Sequence, residues 1–503
     1  MIGISSSGNI FAIAGQPARE TGSLHSPGNT ETTPSDTVAL STAGPTSPPR
    51  ENEKIEPKVT YPEPNGGAGV FSEPFGKIKH LALQLDGDVE GVVRENVLGA
   101  WATLFKTMDP DVRFTIVLEG EKDKAAVEQM IREKEIPNPE RFNFVLTSGI
   151  NITLWSRDQM VGLFSPTDDT TLLAQTTMRP HGQDPLIPPL ITAANKGIIL
   201  DPDKRLVTDG GDEVSNSKET FLGYNSLYLT AKHLYEMNQQ KRDFFGAAKA
   251  ASPFRLNLVA SFPEGGEGLR APDFKYERNP LHVTRENFPN EQEYWMDQAQ
   301  NLFEQKYGKR VEVIGADDPA TPEIEQPATF HIDMGLTPVD DQTVLVGDPG
   351  MAIDIIRSLP KEEYDAYNKK LSAILEEPGD ILQRVIDANT TQDPLLQHQF
   401  DYNAEHLKKK GYDVIRMPYL QGPRGITWFT YNNCLMESYK REDGSEVRRV
   451  FLPEFGLPAL DRKAEEIYKS QGFQVVPLDL PALTAMRGAI RCISNILGRQ
   501  PEA

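Results

Sequence analysis

From about Phe71 onward, short apolar segments alternate with amphipathic segments along nearly the whole chain. The short segments predict strands, and the longer ones, with apolar residues every three or four positions, predict helices. Because the two kinds interleave and do not form separate blocks, the pattern predicts an α/β or α+β fold.

The predicted elements can be placed individually. The predicted strands are Ile78–Leu85, Val112–Leu118, Phe142–Leu146, Thr171–Gln175, Phe254–Ala260, Val311–Ile314, Thr343–Val346, Val414–Met417, Ile426–Met436, Val447–Leu452 and Phe473–Pro477. The predicted helices are Val89–Met108, Lys122–Lys134, Asn290–Tyr307, Lys361–Leu375, Pro378–Asn389, Pro394–Lys410 and Ala459–Gln471. The segment from Lys232 to Pro289, rich in Gly, Pro and charge, predicts a long connection.

The first part of the chain has a different composition. Residues 1–65 are rich in Ser, Thr, Pro and Gly and contain few large apolar residues, so they predict a disordered tail. Residues 71–503 then form a single predicted folded domain. The tail lacks the basic start of a secretory signal, which favours a cytoplasmic protein. A Ser/Thr-rich tail that directs export of a bacterial effector is the alternative.

Charge and cysteine content exclude several classes of function. The formal net charge of −21 argues against nucleic acid as a partner and is compatible with a cationic substrate. No apolar run is long enough for a membrane span. The two cysteines, Cys434 and Cys492, cannot make a disulfide framework, and the scattered histidines show no metal-binding spacing. We therefore expect no metal and no cofactor, and the sequence leaves the oligomeric state open.

Two acidic motifs stand in the first half of the domain. Trp155-Ser156-Arg157-Asp158 alone is compatible with a core tryptophan beside a surface ion pair. Asp209-Gly210-Gly211-Asp212 follows the strand-like Arg205–Thr208, and its glycines allow a positive φ or a close backbone approach. Either motif alone is more often structural than functional.

Two further motifs carry a histidine and a cysteine. If Phe330-His331-Ile332-Asp333 is a strand, His331 and Asp333 point to the same face. Near the C-terminus, Cys492 follows Arg491 in Gly488-Ala489-Ile490-Arg491-Cys492. A free cysteine is most often a small buried apolar residue, but a neighbouring cation favours the reactive thiolate.

Together, in this order, the four motifs resemble those of the guanidino-group-modifying superfamily with the pentein fold. That superfamily includes arginine, agmatine and peptidylarginine deiminases, dimethylarginine hydrolases and amidinotransferases. The resemblance implies an α/β-propeller of five pseudo-symmetric ββαβ units. It also implies Cys492 as nucleophile, His331 as acid and base, and Asp209 as the partner of His331. Substrate-binding roles fall to Asp158, Asp333, Trp155, Arg157 and Asp212.

The resemblance implies a guanidinium substrate, either a small molecule or a protein arginine, and favours a deiminase that releases ammonia and a citrulline-type product. An amidinotransferase is the first alternative, and a binding module without catalysis is the second. Asp209 replaces the Glu of several branches, and the turn before Cys492 lacks the Gly-rich run of agmatine deiminases. The second difference disfavours agmatine as the substrate.

Overall fold

The structure is a computed structural model that describes residues 69–165, 170–176, 178, 181–245, 292–315, 329, 331–422 and 428–500. The predicted tail (residues 1–65) and the predicted strand Phe254–Ala260 lie outside the described residues. The same holds for most of the predicted long connection after Lys232.

The described helices are α1 (Gly91–Thr107), α2 (Glu121–Glu133), α3 (Ile187–Ala194), α4 (Tyr224–Phe245), α5 (Gln292–Tyr307), α6 (Pro349–Arg357), α7 (Lys361–Leu375), α8 (Ile381–Ala388), α9 (Leu396–Lys409) and α10 (Pro458–Ser470). The described strands are β1 (Gly69–Val70), β2 (Ile78–Leu85), β3 (Arg113–Leu118), β4 (Phe142–Leu146), β5 (Met160–Phe164), β6 (Thr171–Gln175), β7 (Ile198–Leu200), β8 (Glu213–Ser215), β9 (Glu219–Gly223), β10 (Arg310–Ile314), β11 (Leu336–Pro338), β12 (Thr343–Asp348), β13 (Asp413–Gln421), β14 (Trp428–Thr430), β15 (Leu435–Lys440), β16 (Glu446–Glu454), β17 (Gln474–Asp479) and β18 (Ser494–Arg499).

Within the described ranges, these strands form five sheets that repeat one connection pattern. In each sheet, one strand pairs antiparallel with a second, and helices then lead to a third strand parallel to the second. The triplets are β5-β6-β7, β8-β9-β10, β11-β12-β13, β15-β16-β17 and β18-β2-β3. The observed architecture is therefore a mixed α/β fold built from repeated ββαβ units.

One of these sheets joins the two ends of the described chain. The C-terminal strand β18 pairs antiparallel with β2, and β2 pairs in parallel with β3. Since Cys492 directly precedes β18, this pairing fixes the position of the predicted nucleophile by contacts with residues far away in sequence.

The core of this sheet shows why the local pattern forms these elements. The aromatic side chains of Trp101 and Phe105 on α1 are fully buried, as is Phe114 on β3. The rings of Phe105 and Phe114 meet edge to face with centroids 4.5 Å apart. Removal of each such ring from water stabilises the fold by about 2 kcal/mol, and this drives the apolar face of α1 onto the sheet.

Three predicted strands differ from the structure. His331 is extended, but Ile332–Met334 form a short 3-10 turn, because Asp333 donates its N–H to Gly211 O at 3.2 Å and not to a strand partner. Arg205–Thr208 is not a strand, since Val207 N–H is taken by the Thr230 hydroxyl. The predicted strand Ile426–Met436 is interrupted at residues 431–434 between β14 and β15.

The predicted long connection differs as well, because Lys232 and the residues that follow it as far as Phe245 belong to α4. Cys434 and Cys492 are both buried free thiols. Among the described residues, no helix is both long and apolar enough to cross a bilayer.

Candidate active site

The predicted motifs occupy equivalent places in the fold. Each lies in the loop that directly precedes the first strand of a ββαβ unit. Asp158 precedes β5, Asp209 precedes β8, Asp333 precedes β11 and Cys492 precedes β18. Four units therefore each present one motif at the same end of their first strand.

The glycine pair of the second motif allows two loops to approach closely. A Cβ atom at Gly210 would lie 2.0 Å from the carbonyl oxygen of Arg157, and one at Gly211 would lie 2.4 Å from Nδ1 of His331. Neither glycine has a positive φ. Both positions therefore need glycine because neither has room for a Cβ atom. At Gly211, this lets the His331 ring pack directly on the backbone.

His331 pairs with the acid of that same turn. Its Nε2 atom lies 3.0 Å from Oδ2 of Asp209. His331 is buried and Asp209 is fully buried, so water screens the pair little. An opposite charge this close to an imidazole favours the protonated form of the ring.

Asp158 has one occupied and one free carboxylate oxygen. Oδ2 lies 2.9 Å from Nε2 of His181. Oδ1 is buried and finds no donor among the residues that the structure describes. Burial alone would lower the pKa of His181, but the hydrogen bond and the charge of Asp158 raise it above the ordinary value.

Asp333 likewise has one carboxylate oxygen with hydrogen-bond donors and one without them. Oδ2 accepts hydrogen bonds from Nη1 of Arg491 at 2.6 Å and from Nδ2 of Asn433 at 2.9 Å. Oδ1 is buried and, within the described ranges, has no donor. Burial raises the pKa of Asp333 above its ordinary value, although the charges of Arg491 and His331 oppose this.

Cys492 lies among these groups. Its backbone N–H donates to Oδ1 of Asn433 at 3.1 Å, its carbonyl accepts from Arg157 N–H at 3.0 Å, and its sulfur contacts that of Met334 at 3.9 Å. Burial raises the pKa of the Cys492 thiol well above its ordinary value, and the charges of Asp333 and Asp158 raise it further. Burial and the two neighbouring carboxylates thus both favour the protonated form of this thiol.

Trp155 packs against the turn that precedes the cysteine. A Cβ atom at Gly488 would lie 2.4 Å from the Trp155 ring and 3.1 Å from Cβ of Cys492. The glycine therefore brings the indole and the cysteine side by side, and Trp155 forms an apolar side of the site.

Arg157 and Arg491 belong to a buried ionic network behind the site. Nη2 of Arg157 lies 2.8 Å from the Glu213 carboxylate, and Nη2 of Arg491 lies 2.7 Å from that of Glu73. Burial alone would raise the pKa of Glu73, but the two arginines lower it to about 2. The Arg491 guanidinium, which the sequence placed beside the thiol, is thus bound by carboxylates.

Asp212 holds the glycine turn together. Its carboxylate accepts a hydrogen bond from the Ser226 hydroxyl at 2.5 Å, and its backbone binds Asp209 and Gly223. Gly223 is a position where a Cβ atom would overlap the Asp212 carboxylate. Asp212, Ser226 and Gly223 are all buried.

The charged groups at the centre form a compact set. One ligand atom each of Asp158, Asp209 and His331 lies within 4.8 Å of the others, and all three residues are buried. Two carboxylates and an imidazole are a donor set that can hold a divalent metal ion. They equally suit an organic cation such as a guanidinium, which is best held by carboxylates.

Three residues of this site, His181, Asn433 and Glu73, carry no clear signal in the sequence. His181 lies in a Pro-His-Gly loop with no motif around it, and Asn433 is one of two consecutive asparagines in a predicted strand. Glu73 precedes the first long strand and has no signal beyond its charge. Only the asparagine pair, an unusual break in an apolar run, could have indicated a buried polar role.

A separate surface cavity of about 270 Å³ is lined by none of these residues. Its charged side chains pair with one another, as Lys410 does with Glu312 at 2.9 Å. We therefore locate the candidate site at the buried cluster around Cys492.

The fold resembles solved structures of guanidine-modifying enzymes. The X-ray structure of a structural-genomics target assigned as an agmatine deiminase has a TM-score of 0.50 at 12% identity, over 87% of this chain and 97% of that chain. An agmatine deiminase of Enterococcus faecalis has a TM-score of 0.49 at 11% identity, over 87% and 97% of the two chains. The agmatine deiminase of C. jejuni has a TM-score of 0.46 at 12% identity, over 86% and 97%.

No family profile matches the chain, and no curated protein is significantly similar to it in sequence. At 12% identity, the similarity to the first of these structures establishes the fold alone. In its fold, the chain therefore resembles this solved structure.

Proposed function

We propose that this chain is a deiminase that hydrolyses the guanidino group of arginine, of an arginine derivative or of peptidyl arginine. One observation carries the proposal. Asp158 and Asp333 each bury one carboxylate oxygen that has no donor among the described residues, and both charges act on the thiol of Cys492. Two acceptors beside a nucleophile suit a planar cation with N–H donors on several sides.

In this proposal, the free oxygens of Asp158 and Asp333 accept N–H groups of the substrate guanidinium. The cation offsets the two carboxylate charges that raise the pKa of Cys492. Substrate binding thus favours the thiolate at the moment when the electrophilic carbon is in place. The reaction needs no metal or cofactor for these steps.

The first half of the reaction breaks a C–N bond. The Cys492 thiolate adds to the guanidinium carbon and gives a tetrahedral adduct. His331, held by Asp209 at 3.0 Å, donates a proton to the departing nitrogen. Ammonia leaves, and a covalent thiouronium remains on the sulfur.

The second half returns the enzyme to its starting state. His331, now neutral, takes a proton from water as the oxygen adds to the same carbon. The C–S bond then breaks, the electron pair returns to sulfur, and the added hydroxyl group gives its proton to solvent as the neutral ureido product forms. One water is consumed, and one ammonia is released.

We further propose that the five repeated units surround a central axis as a pentein propeller within residues 71–503. This arrangement accounts for motifs from different units that contact one another, as Asp209 and His331 do. Trp155 then borders the substrate, while Arg157 and Asp212 support the loops that carry Asp158 and Asp209. Residues 1–65 remain a predicted tail, and a cytoplasmic location remains the preferred prediction.

The test is ammonia and ureido-product release from free arginine, acylated arginine, peptidyl arginine and agmatine. Cys492→Ala should abolish turnover on any active substrate. Cys434→Ala is the matched control, because Cys434 is the other buried thiol and contacts Tyr468 at 3.1 Å, outside the site. Turnover retained in Cys492→Ala would refute the nucleophile, and no turnover of any substrate by the folded protein would refute the deiminase.

Acid quenching followed by intact-mass measurement tests the intermediate. A covalent adduct should form on the wild-type protein and be absent from Cys492→Ala. If the adduct forms but is released only when an acceptor amine is added, the protein is an amidinotransferase and the proposed hydrolysis is wrong.

A further inference from the structure

The ββαβ unit formed by β15, β16 and β17 also places a side chain at the candidate site. Asn433 stands two residues before β15, as Asp158 stands before β5 and Cys492 before β18. We propose that Asn433 is a positioning residue that couples the nucleophile to the guanidinium-binding carboxylate. This inference rests on the proposed function, since it assigns Asp333 to the substrate.

The amide of Asn433 bridges two site residues. Its Oδ1 accepts the backbone N–H of Cys492 at 3.1 Å, and its Nδ2 donates to Oδ2 of Asp333 at 2.9 Å. A backbone N–H can only donate and a carboxylate can only accept, so both contacts together fix the orientation of the amide. A side chain of this length with one donor and one acceptor is needed here.

The bridge determines which oxygen of Asp333 remains for a substrate. Oδ2 is occupied by Asn433 and by Arg491, and Oδ1 is left buried without a donor in the part of the chain that the structure describes. With Oδ2 held by two donors, the carboxylate cannot rotate freely. Asn433 therefore holds Oδ1 toward the site while it fixes the backbone of the cysteine.

The neighbouring asparagine offers a matched control. Asn432 is equally buried, but its Nδ2 donates to the Thr337 hydroxyl at 3.2 Å and to the Leu345 carbonyl at 3.1 Å. Neither contact involves the site. Loss of the Asn432 side chain should therefore reproduce the cost of removing a buried amide without altering the substrate carboxylate.

Alkylation of Cys492 by a matched pair of probes tests the inference without knowledge of the substrate. Chloroacetamidine carries an amidinium that the carboxylates would bind, and chloroacetamide is its neutral analogue. The ratio of their second-order rate constants, measured by peptide mass spectrometry at Cys492, reports how well the carboxylates hold a cation beside the sulfur. The wild-type protein should prefer the amidinium.

In Asn433→Ala and Asn433→Leu, this ratio should fall about tenfold or more, the effect of one lost hydrogen bond to a charged group. Asn432→Ala and Asn432→Leu should keep the wild-type ratio. The leucine variants fill the space of the amide, so that each position is also measured without the cavity that alanine leaves. Melting temperatures should fall in the variants of both residues, whereas the rate ratio should fall only in the Asn433 variants. The comparison therefore separates a loss of stability from a loss of positioning.

The outcomes are distinct. If the wild-type protein prefers the amidinium and the Asn433 variants keep that preference, the positioning role is refuted and the proposed function stands. If the wild-type protein shows no preference, the guanidinium-binding role of the carboxylates fails, and the inference fails with it.

Discussion

The imidazole of His331 lies 3.0 Å from the carboxylate of Asp209, although the two residues stand far apart in the sequence. Both are buried, and the His331 ring packs on Gly211 in the same turn as Asp209. A carboxylate this close to an imidazole favours the charged form of the ring, because opposite charges attract.

Replacement of Asp209 should therefore affect proton transfer more than binding. In Asp209→Asn, we expect kcat to fall by roughly 10²-fold, the scale of a general acid and base contribution, while KM changes little. Steady-state kinetics on the active substrate measure this. Asp201→Asn is the control, because Asp201 is a buried acid paired with Lys306 at 2.7 Å, outside the site. Wild-type kcat in Asp209→Asn would contradict the pairing role.

Replacement of Asp158 should affect binding and the environment of the thiol. Asp158→Asn removes a charge that would bind the substrate, so kcat/KM should fall by roughly 10- to 100-fold, as a charge-assisted hydrogen bond is worth about 1.5–3 kcal/mol. It also removes one of the charges that raise the pKa of Cys492.

A neutral alkylating agent should therefore react faster with Cys492 in Asp158→Asn than in the wild-type protein at the same pH, because more thiolate is present. Mass spectrometry of the Cys492 peptide measures this rate. A slower substrate reaction together with a faster alkylation would be difficult to explain by general loss of structure. If neither the substrate reaction nor the alkylation rate changes in Asp158→Asn, the Asp158 carboxylate does not bind the substrate beside Cys492.

The buried network behind the site should give stability a specific pH dependence. The arginines lower the pKa of Glu73 from 4.5 to about 2. A lowered carboxyl pKa contributes stability that is complete above the unfolded value and is lost as the pH falls through the folded value. The free energy of unfolding should therefore decline between about pH 4.5 and pH 2.

Glu73→Gln tests that dependence. At pH 7 it should cost about 3–5 kcal/mol, because it leaves buried arginines with fewer charges to pair with. The difference from the wild-type protein should shrink as the pH falls from about 4.5 to 2, as denaturant titrations at several pH values would show. Asp365→Asn, which breaks an exposed pair with Lys361, should leave stability nearly unchanged. A difference that does not depend on pH would show that Glu73 does not titrate with folding.

Local pattern in the sequence predicted many elements well. Helix α7 (Lys361–Leu375) and strand β2 (Ile78–Leu85) have the predicted bounds, since their periodicity and turn residues are encoded in adjacent positions. The predicted strand at His331–Asp333 was wrong because its hydrogen-bond partner, Gly211, lies in another unit. Pairing of β18 with β2 likewise depends on residues from both ends of the described chain.

The candidate site was likewise predictable only in part from the sequence. Motif order indicated His331, Asp209, Asp158, Asp333 and Cys492, and the structure places them close together. The hydrogen-bond partners of Asp158 and Asp333 could not be predicted, because Asn433, Arg491 and His181 reach these two carboxylates only through tertiary contacts. Hydrogen-bond saturation of buried carboxylates is decided by the whole fold and not by neighbouring residues.

A single methyl group at Gly488 should impair the site by steric overlap. A Cβ atom there would lie 2.4 Å from the Trp155 ring and 3.1 Å from Cβ of Cys492, so the indole or the cysteine must move. For Gly488→Ala we expect a loss of stability of about 1–3 kcal/mol, typical of overpacking, and a larger relative loss of kcat/KM, because a displaced nucleophile reacts poorly. Thermal unfolding and kinetics measure the two effects.

Gly99→Ala is the matched control for that substitution. Gly99 is exposed within α1, and a Cβ atom there meets nothing within 4 Å. Alanine should stabilise this helix by about 0.5–1 kcal/mol relative to glycine and leave activity unchanged. If Gly488→Ala behaves like Gly99→Ala, the packing of Trp155 against the cysteine turn does not constrain Cys492. If only Gly488→Ala loses activity, the turn before β18 holds the nucleophile in place.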